Sequence, residues 1–297
     1  MTDLDDLRGA VRDLLTTHAP ARSAMADDPS VWKRLSQEMG LTALPVEDVP
    51  WSWVTGVVEE TGRVLLRAPF LSTVVAAAAL THAGAPVAGL ADGSMTAALA
   101  LDGRLDAVPH AATADVLLVA DGDDLVLVED VRATPVDHLD VTRPFGRVAD
   151  TGGRVVGSAS YARDLHWSAL AAESVGAAQA VLELAVEHLK VREQFGRPLG
   201  SFQALRHKVA DLTVLVEAAR SSAWYAATED LAAAPLAKAV AADAFVTVAG
   251  ECIQLFGGIG FTWEHDAHLY FKRAWTTALT NGDSAALRAL AFERGNP

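Results

Sequence analysis

Arg192, Gln194, Arg197, Gln203, Arg206, His207 and Lys208 crowd into one stretch, "VREQFGRPLGSFQALRHKVADL", Val191 to Leu212. A Gly and a Pro interrupt it, so the pattern predicts one helix ending near Phe195-Gly196 and a second starting at about Ser201, with Ser201 as its cap. The start of a helix presents unpaired N–H groups and a positive dipole end, which suits phosphate. Arg192 adds a permanently charged fork, Gln203 an amide, and Phe195 and Phe202 flat apolar surfaces. Such parts fit a nucleotide diphosphate. They equally fit an ordinary helix–turn–helix connection in which both phenylalanines simply pack.

A second stretch, "CIQLFGGIGFTWEHDAHLYFKRA", runs from Cys252 to Ala274. Gly257-Gly258 ends a helix and lets another backbone or a ligand come close. Gln254 sits in the last turn, where its amide can reach beyond the helix end. "HDAH" places His265 and His268 on one helical face, but no third ligand accompanies them, so no metal site is expected.

Three kinds of chain carry these motifs. Up to about residue 90 the pattern is helical: Leu4, Leu7, Val11 and Leu14 form one apolar face. "VWKRLSQEMG" reads as a short helix capped by Ser30 and stopped by Gly40, "LTALPVEDVP" as a loop, and Trp53 to Arg63 and Phe70 to His82 as helices. From about 92 to 157 short β-type runs alternate with Asp-Gly and Gly-Gly turns, and "ADGDD" between Leu117–Val119 and Leu125–Val128 signals a hairpin. From about 158 onward helices return. One spans about Ala162 to Gln194. The next carries Leu205, Val209, Leu212 and Val216. A third has Pro235 in its first turn and runs to Phe256. A fourth covers roughly Trp263 to Thr280, and Asp283 or Ser284 caps a final short one. The expected units are therefore 1–90, 91–157 and 158–297, in a mainly α fold with a small β-domain.

The composition excludes several function classes. Of 297 residues, 38 are Asp or Glu against 24 Lys or Arg, a net charge of -14 that disfavours nucleic acid as a partner. The single cysteine, Cys252, allows no intrachain disulfide and points to a reducing, cytoplasmic setting and a small core residue. The start, "MTDLDDLRGA", is acidic and amphipathic, unlike a signal peptide. "LSTVVAAAALTHAGAPVAGL" is broken by polar residues, Gly and Pro, and reads as a buried helix, so no membrane span is expected.

The two motifs together resemble the flavin-dependent acyl-CoA dehydrogenases. "REQFGRPLGSFQALRHKVADL" is similar to that family's Arg-x-x-Phe-Gly-x-Pro…Phe-Gln…Ala-Asp signature. "QLFGGIGFTWEHDAHLYFKRA" is similar to its Gln-x-x-Gly-Gly-x-Gly-Phe signature, and the spacing between them agrees. The likeness is strong in the C-terminal half and weak, through "EETGRVLLRAPFL", in the N-terminal helices. It implies an N-terminal helical domain, a middle β-domain and a C-terminal four-helix bundle. It also implies FAD, with Arg192, Gln194, Phe195, Phe202, Gln203, Gln254, Gly257 and Gly258 on its ADP part, mostly of a flavin held by the neighbouring subunit.

The sequence departs from the family where the chemistry occurs. A glutamate there takes the α-proton of an acyl-CoA, in a dry pocket that raises its basicity. Counting from Gln254 without gaps, the usual position of that glutamate holds Asn281, which cannot act as a base. The second position used by some members falls on His166, a weak candidate base. Asp283 lies two residues past Asn281 and reads as a helix cap. No Thr-Glu-Pro-x-Ala-Gly-Ser-Asp-like segment occurs between Leu90 and Ser160, the β-domain is shortened, and the N-terminal Pro-Glu-x-x-Gly-Gly-x-Gly loop is reduced to "LPVEDVP". The resemblance therefore implies the small subunit of an actinobacterial heteromeric acyl-CoA dehydrogenase. A larger subunit would supply the base and most of the acyl-CoA site in a heterotetramer, with steroid-derived acyl groups as the analogous substrates. The alternatives are a self-sufficient homodimer with altered acid–base chemistry, using His166 or Asp283, and a purely structural pseudoenzyme partner.

Overall fold

The computed structural model describes residues 3–150 and 152–295; the outermost residues of the expected terminal units, and residue 151 in the middle one, lie outside it. The chain begins with α1 (Asp3–His18), α2 (Pro29–Lys33), α3 (Trp51–Arg63), α4 (Phe70–His82) and α5 (Ala88–Ala91). α1 buries Leu4, Val11 and Leu15, while Leu7 and Leu14 of the expected stripe are half-buried against the same core. α4 matches its expected bounds and is buried nearly all round, as a helix apolar on every face must be.

The "VWKRLSQEMG" helix differs from expectation. Asp28, not Ser30, caps α2 by accepting from the Ser30 N–H at 2.9 Å, and residues 34–38 continue as a wider π turn. An aspartate one residue before Pro29 is the better cap because proline fits the first helical turn. "LTALPV" forms a 3-10 turn (Leu41–Val46) rather than an open loop.

The strands β1 (Ala97–Ala100), β2 (Val108–Pro109), β3 (Val116–Asp121), β4 (Asp124–Val128), β5 (Ala133–Val136), β6 (Phe145–Val148) and β7 (Arg154–Ser158) follow. They form a four-stranded sheet ordered β1-β3-β4-β7 and a three-stranded sheet ordered β2-β6-β5. β3 and β4 make the predicted hairpin, closing at Asp121 opposite Asp124 with Gly122 at φ 60°. Alternation decides the packing. Val116, Leu118 and Ala120 join the core beneath α4, while Leu117 and Val119 face Val108 and Val148 of the second sheet. β2, β5 and β6 carry little periodic signal and were not legible in advance.

The bundle consists of α6 (Ala159–Val191), α7 (Gln203–Thr228), α8 (Ala234–Phe256) and α9 (Ala267–Leu279), followed by α10 (Ser284–Gly295). Between α6 and α7 the short strands β8 (Glu193–Gln194) and β9 (Arg197–Pro198) pair as a two-residue hairpin. α6 and the segment Leu231–Phe261 are long and apolar enough to cross a membrane, yet most of each is buried inside the protein. α3 crosses α6 at reciprocal glycines: a Cβ on Gly62 would strike the Glu173 carbonyl, and one on Gly176 the Glu59 carbonyl. That close crossing seats Glu173 against the N-terminal helices.

Candidate functional site

Antiparallel neighbours in the bundle place the end of α6, the start of α7 and the end of α8 at one pole. The rings of His188 and Phe256 meet edge to face at 5.3 Å, and Lys208 pairs with Glu251 at 3.1 Å. This packing brings the two sequence motifs together.

The turn between α6 and α7 is tighter than its sequence suggested. α6 stops at Val191, with Arg192 already extended, and Phe195 (φ 54°) and Gly196 (φ 76°) form the hairpin turn. Two successive left-handed residues are what a two-residue hairpin of native twist requires. Ser201 does not cap α7. Its hydroxyl donates to Pro198 O at 2.7 Å, and no side chain caps the helix, which begins at Gln203 after Phe202. Leu205 N and Arg206 N donate to Phe202 O, both at 3.2 Å, so only the first amides of α7, those of Gln203 and Ala204, are left to solvent or a ligand.

Arg192, Gln194, Phe195, Gln203, Gln254, Gly257 and Gly258 are all exposed at this pole, and Phe202 is half-buried. The side chains of Arg192, Gln203 and Gln254 have no hydrogen-bond or ion-pair partner among the described residues, whereas Gln194 donates to Glu193 O at 2.8 Å. Phe202 is flanked on one face by the Arg197 guanidinium, 4.0 Å from its centroid, and meets Phe195 edge to face. Gly257 ends α8 at φ 65°, ψ -142°, a conformation essentially confined to glycine, with open space where a Cβ would stand. Nearby Phe261 is 70% exposed and Trp263 61%, while Phe195 is 89% exposed. Free cationic and amide donors beside flat apolar surfaces form a donor set that fits pyrophosphate, ribose and adenine.

A second locus lies near the opposite end of α9. His166 on α6 and Asn281 just beyond α9 are both buried, and Asn281 Nδ2 sits 3.2 Å from His166 Nδ1. Burial pushes the imidazole pKa down to about 3. The ring is therefore neutral at pH 7 and accepts the Asn281 amide proton at Nδ1. Asn281 stands at φ 55°, its carbonyl accepting from Trp167 Nε1 at 2.6 Å. Buried Lys238 donates to Ala278 O at 2.8 Å and Gly282 O at 2.5 Å, clamping the turn from both sides, and burial pushes its pKa down to about 8. The pair forms part of a cavity of about 390 Å³ that Asp102, Arg104, His138 and Trp275 also line. Asp102 is held by Arg104 Nε at 3.2 Å, and Asp283 caps α10 by accepting from Ala286 N at 2.9 Å.

Behind this pair lies a charged cluster that sequence reading missed. Arg143 Nη2 donates to Glu173 at 2.6 Å, and Arg273 Nη1 reaches the other Glu173 oxygen at 3.1 Å. Arg273 Nε is 3.1 Å from Asp140 Oδ2, but its N–H points to Thr142 Oγ1 at 2.9 Å, so charge rather than a hydrogen bond joins it to Asp140. Burial pushes Glu173 and Asp140 up, yet the two arginines outweigh it and hold both carboxyls below their ordinary values. No local signal marks it: Arg273 directly follows Lys272, and Asp140 and Arg143 lie in irregular chain before β6. His265 and His268 are separately engaged, against Phe256 and Trp263, and no group of three metal-ligating side chains occurs among the described residues.

Comparison with known proteins sets this geometry in a family. Residues 157–295 match the acyl-CoA dehydrogenase C-terminal domain. The chain is 40% identical over 308 aligned positions to acyl-CoA dehydrogenase IpdE2 of Mycobacterium tuberculosis, covering 97% of this chain and 96% of that one. It is 38% identical to acyl-CoA dehydrogenase FadE34 of the same organism, covering 73% of this chain but 34% of that protein. A solved structure of a Tcur3481–Tcur3483 steroid ACAD variant superposes with a TM-score of 0.89 at 28% identity, covering 99% of each chain. The paired motifs at one bundle pole, the three-part fold and near-full-length similarity agree: this chain belongs to the acyl-CoA dehydrogenase family of FAD-dependent flavoproteins.

Proposed function

We propose that this chain is the subunit of a heteromeric FAD-dependent acyl-CoA dehydrogenase that lacks the catalytic base. It completes the FAD site from across an interface with a larger subunit, in a cytoplasmic heterotetramer. The observation that carries this reading is the His166–Asn281 pair: the two positions where the family places its base hold a neutral imidazole and an amide, bonded to each other. An imidazole with a pKa of about 3 is too weak a base to take an α-proton at neutral pH, which counts against a self-sufficient homodimer relying on His166. Asp283 is occupied as a helix cap.

In this reading the units 1–90, 91–157 and 158–297 act as one body whose bundle pole meets the partner. Arg192 neutralises the FAD pyrophosphate, and Gln203 and Gln254 present amides to its ribose and adenine end. Gln194, Phe195 and Phe202 flank it, and Gly257-Gly258 admits close approach. FAD supplies the hydride acceptor for α,β-desaturation, while the larger subunit brings the base and most of the acyl-CoA site. Exposed Phe195, Phe261 and Trp263 supply apolar contact area of the kind interfaces use. The described partnership of Tcur3481 with Tcur3483 supports a two-chain arrangement and a steroid-derived acyl group. The FadE34 match, which leaves most of that longer protein uncovered, supports a region of this kind working beside another.

Co-expression with a larger acyl-CoA dehydrogenase subunit, followed by visible absorption and native mass, tests the proposal. Flavin should appear in the complex and be absent from this chain alone. Stable FAD binding and turnover by this chain by itself would overturn it.

A further inference from the structure

A cavity of about 330 Å³ opens between residues 19–32, the α3–α4 connection and the segment joining β2 to β3, and it shares Leu66, Ala68 and His110 with the cleft that His166 and Glu173 line. None of the residues assigned to FAD or to the His166–Asn281 locus lines it. Val31, Trp32, Val64, Leu66, Pro69 and Pro144 give it apolar walls. Two polar groups of special kind converge on it, Arg67 and His110.

His110 is only 7% exposed and holds φ 63°, an uncommon backbone for a non-glycine residue. The backbone is pinned there: its N–H donates to Pro144 O at 2.8 Å, and its carbonyl accepts from Thr113 N at 3.0 Å and Ala114 N at 3.1 Å. Its ring, by contrast, has no hydrogen bond, ion pair or ring contact among the described residues. The ring nitrogens are not sealed off but open to the cavity, and residues held in sparsely populated backbone conformations often mark ligand sites. Burial, with Arg143, Arg273 and Arg67 nearby, holds the ring in its neutral form, which keeps one N–H donor.

Arg67 pairs with Asp27 through Nε and donates from Nη1 to Val141 O at 3.0 Å and Ala24 O at 3.3 Å. Its Nη2 has no partner among the described residues. The cavity's two carboxylates do not compete for that role: Asp27 is neutralised by Arg67, and Asp28 is engaged as the cap of α2.

We propose that this cavity is a binding site for a small monocarboxylic acid with an apolar body. The carboxylate accepts from the His110 ring N–H and from Arg67 Nη2, and the hydrocarbon lies along Val31, Trp32, Val64 and Leu66. The volume stands at the lower end of the range for small-molecule sites, roughly 300–1,000 Å³, so a medium-chain acid fits and a bulky polycyclic one does not.

Calorimetric titration of the full chain with octanoate, and with octan-1-ol as the uncharged control, tests this. Octanoate should bind saturably at one site, and the alcohol at least ~10-fold more weakly, since a lost charged hydrogen bond is worth about 1.5–3 kcal/mol. His110→Asn, which tolerates the left-handed backbone, should weaken octanoate by a similar factor. Ala68→Phe, which fills the cavity from a half-exposed wall, should abolish binding and decides the matter if the first variant does not fold. Absence of saturable octanoate binding, equal affinity for the alcohol, or binding unchanged in the folded variants would each overturn the proposal.

Discussion

Asn281 Nδ2 approaches His166 Nδ1 to 3.2 Å across 115 residues of chain. Both side chains are buried, and the asparagine holds a left-handed backbone pinned by Trp167 and Lys238. The pair behaves as a closed structural contact rather than as a poised acid and base. Asn281→Gly keeps the backbone conformation but strands the His166 lone pair. It should lower stability by about 1–3 kcal/mol, read from urea midpoints. In the assembled complex, His166→Gln should leave turnover unchanged.

Stability should fall as pH drops from about 6.5. His166 takes up its proton only near pH 3 when folded, but near its ordinary value of 6.5 when unfolded. Between those values the unfolded chain binds more protons, so stability is fully present above 6.5 and is lost progressively below it. The slope is at most about 1.4 kcal/mol per pH unit for this residue. His110, also depressed by burial, adds in the same direction. Urea denaturation between pH 6.5 and 5 should show a shallower slope for His166→Gln than for the native chain.

The Arg143–Glu173–Arg273–Asp140 cluster ties the chain before β6 to α6 and α9. Removing one member leaves a buried charge uncompensated. Arg273→Met should therefore cost about 3–5 kcal/mol, while Arg104→Ala at the exposed Asp102 pair should change stability little. Paired urea titrations distinguish the two.

Arg192 should matter for flavin and not for folding, because it is exposed and unpaired. In the complex with the larger subunit, Arg192→Ala should weaken FAD retention by roughly 10- to 100-fold, the value of a charge-assisted hydrogen bond. Arg192→Lys should restore only part of it, since lysine lacks the planar fork. Fluorescence of released flavin during dilution gives the comparison; unchanged retention in Arg192→Ala would indicate a purely structural partner.

Regular periodicity was readable because it is local. α4 has the bounds its apolar run dictates, and the β3–β4 hairpin follows from "ADGDD" between two apolar runs. Helix ends were less legible. α6 lies three residues earlier at each end than expected, because Ser158 caps it and the β8–β9 hairpin claims Glu193 and Gln194. Ser201 and Ser30 have the chemistry of caps, yet the Ser201 hydroxyl donates to Pro198 O and the Ser30 N–H is itself capped by Asp28.

The sequence by itself determined the order of helices, strands and bundle, and the two motifs that identify the family, since spacing and residue type are properties of the chain. It also showed that Asn281 and His166 hold no carboxylate. Only the tertiary structure decided that these two touch, that Lys238 clamps the turn between them and α9, and that Arg273 finds its charges on Glu173 and Asp140. Burial and pairing depend on which distant segments meet. A buried cation reads in sequence like any exposed one until its partners, 30 to 208 residues away, are folded against it.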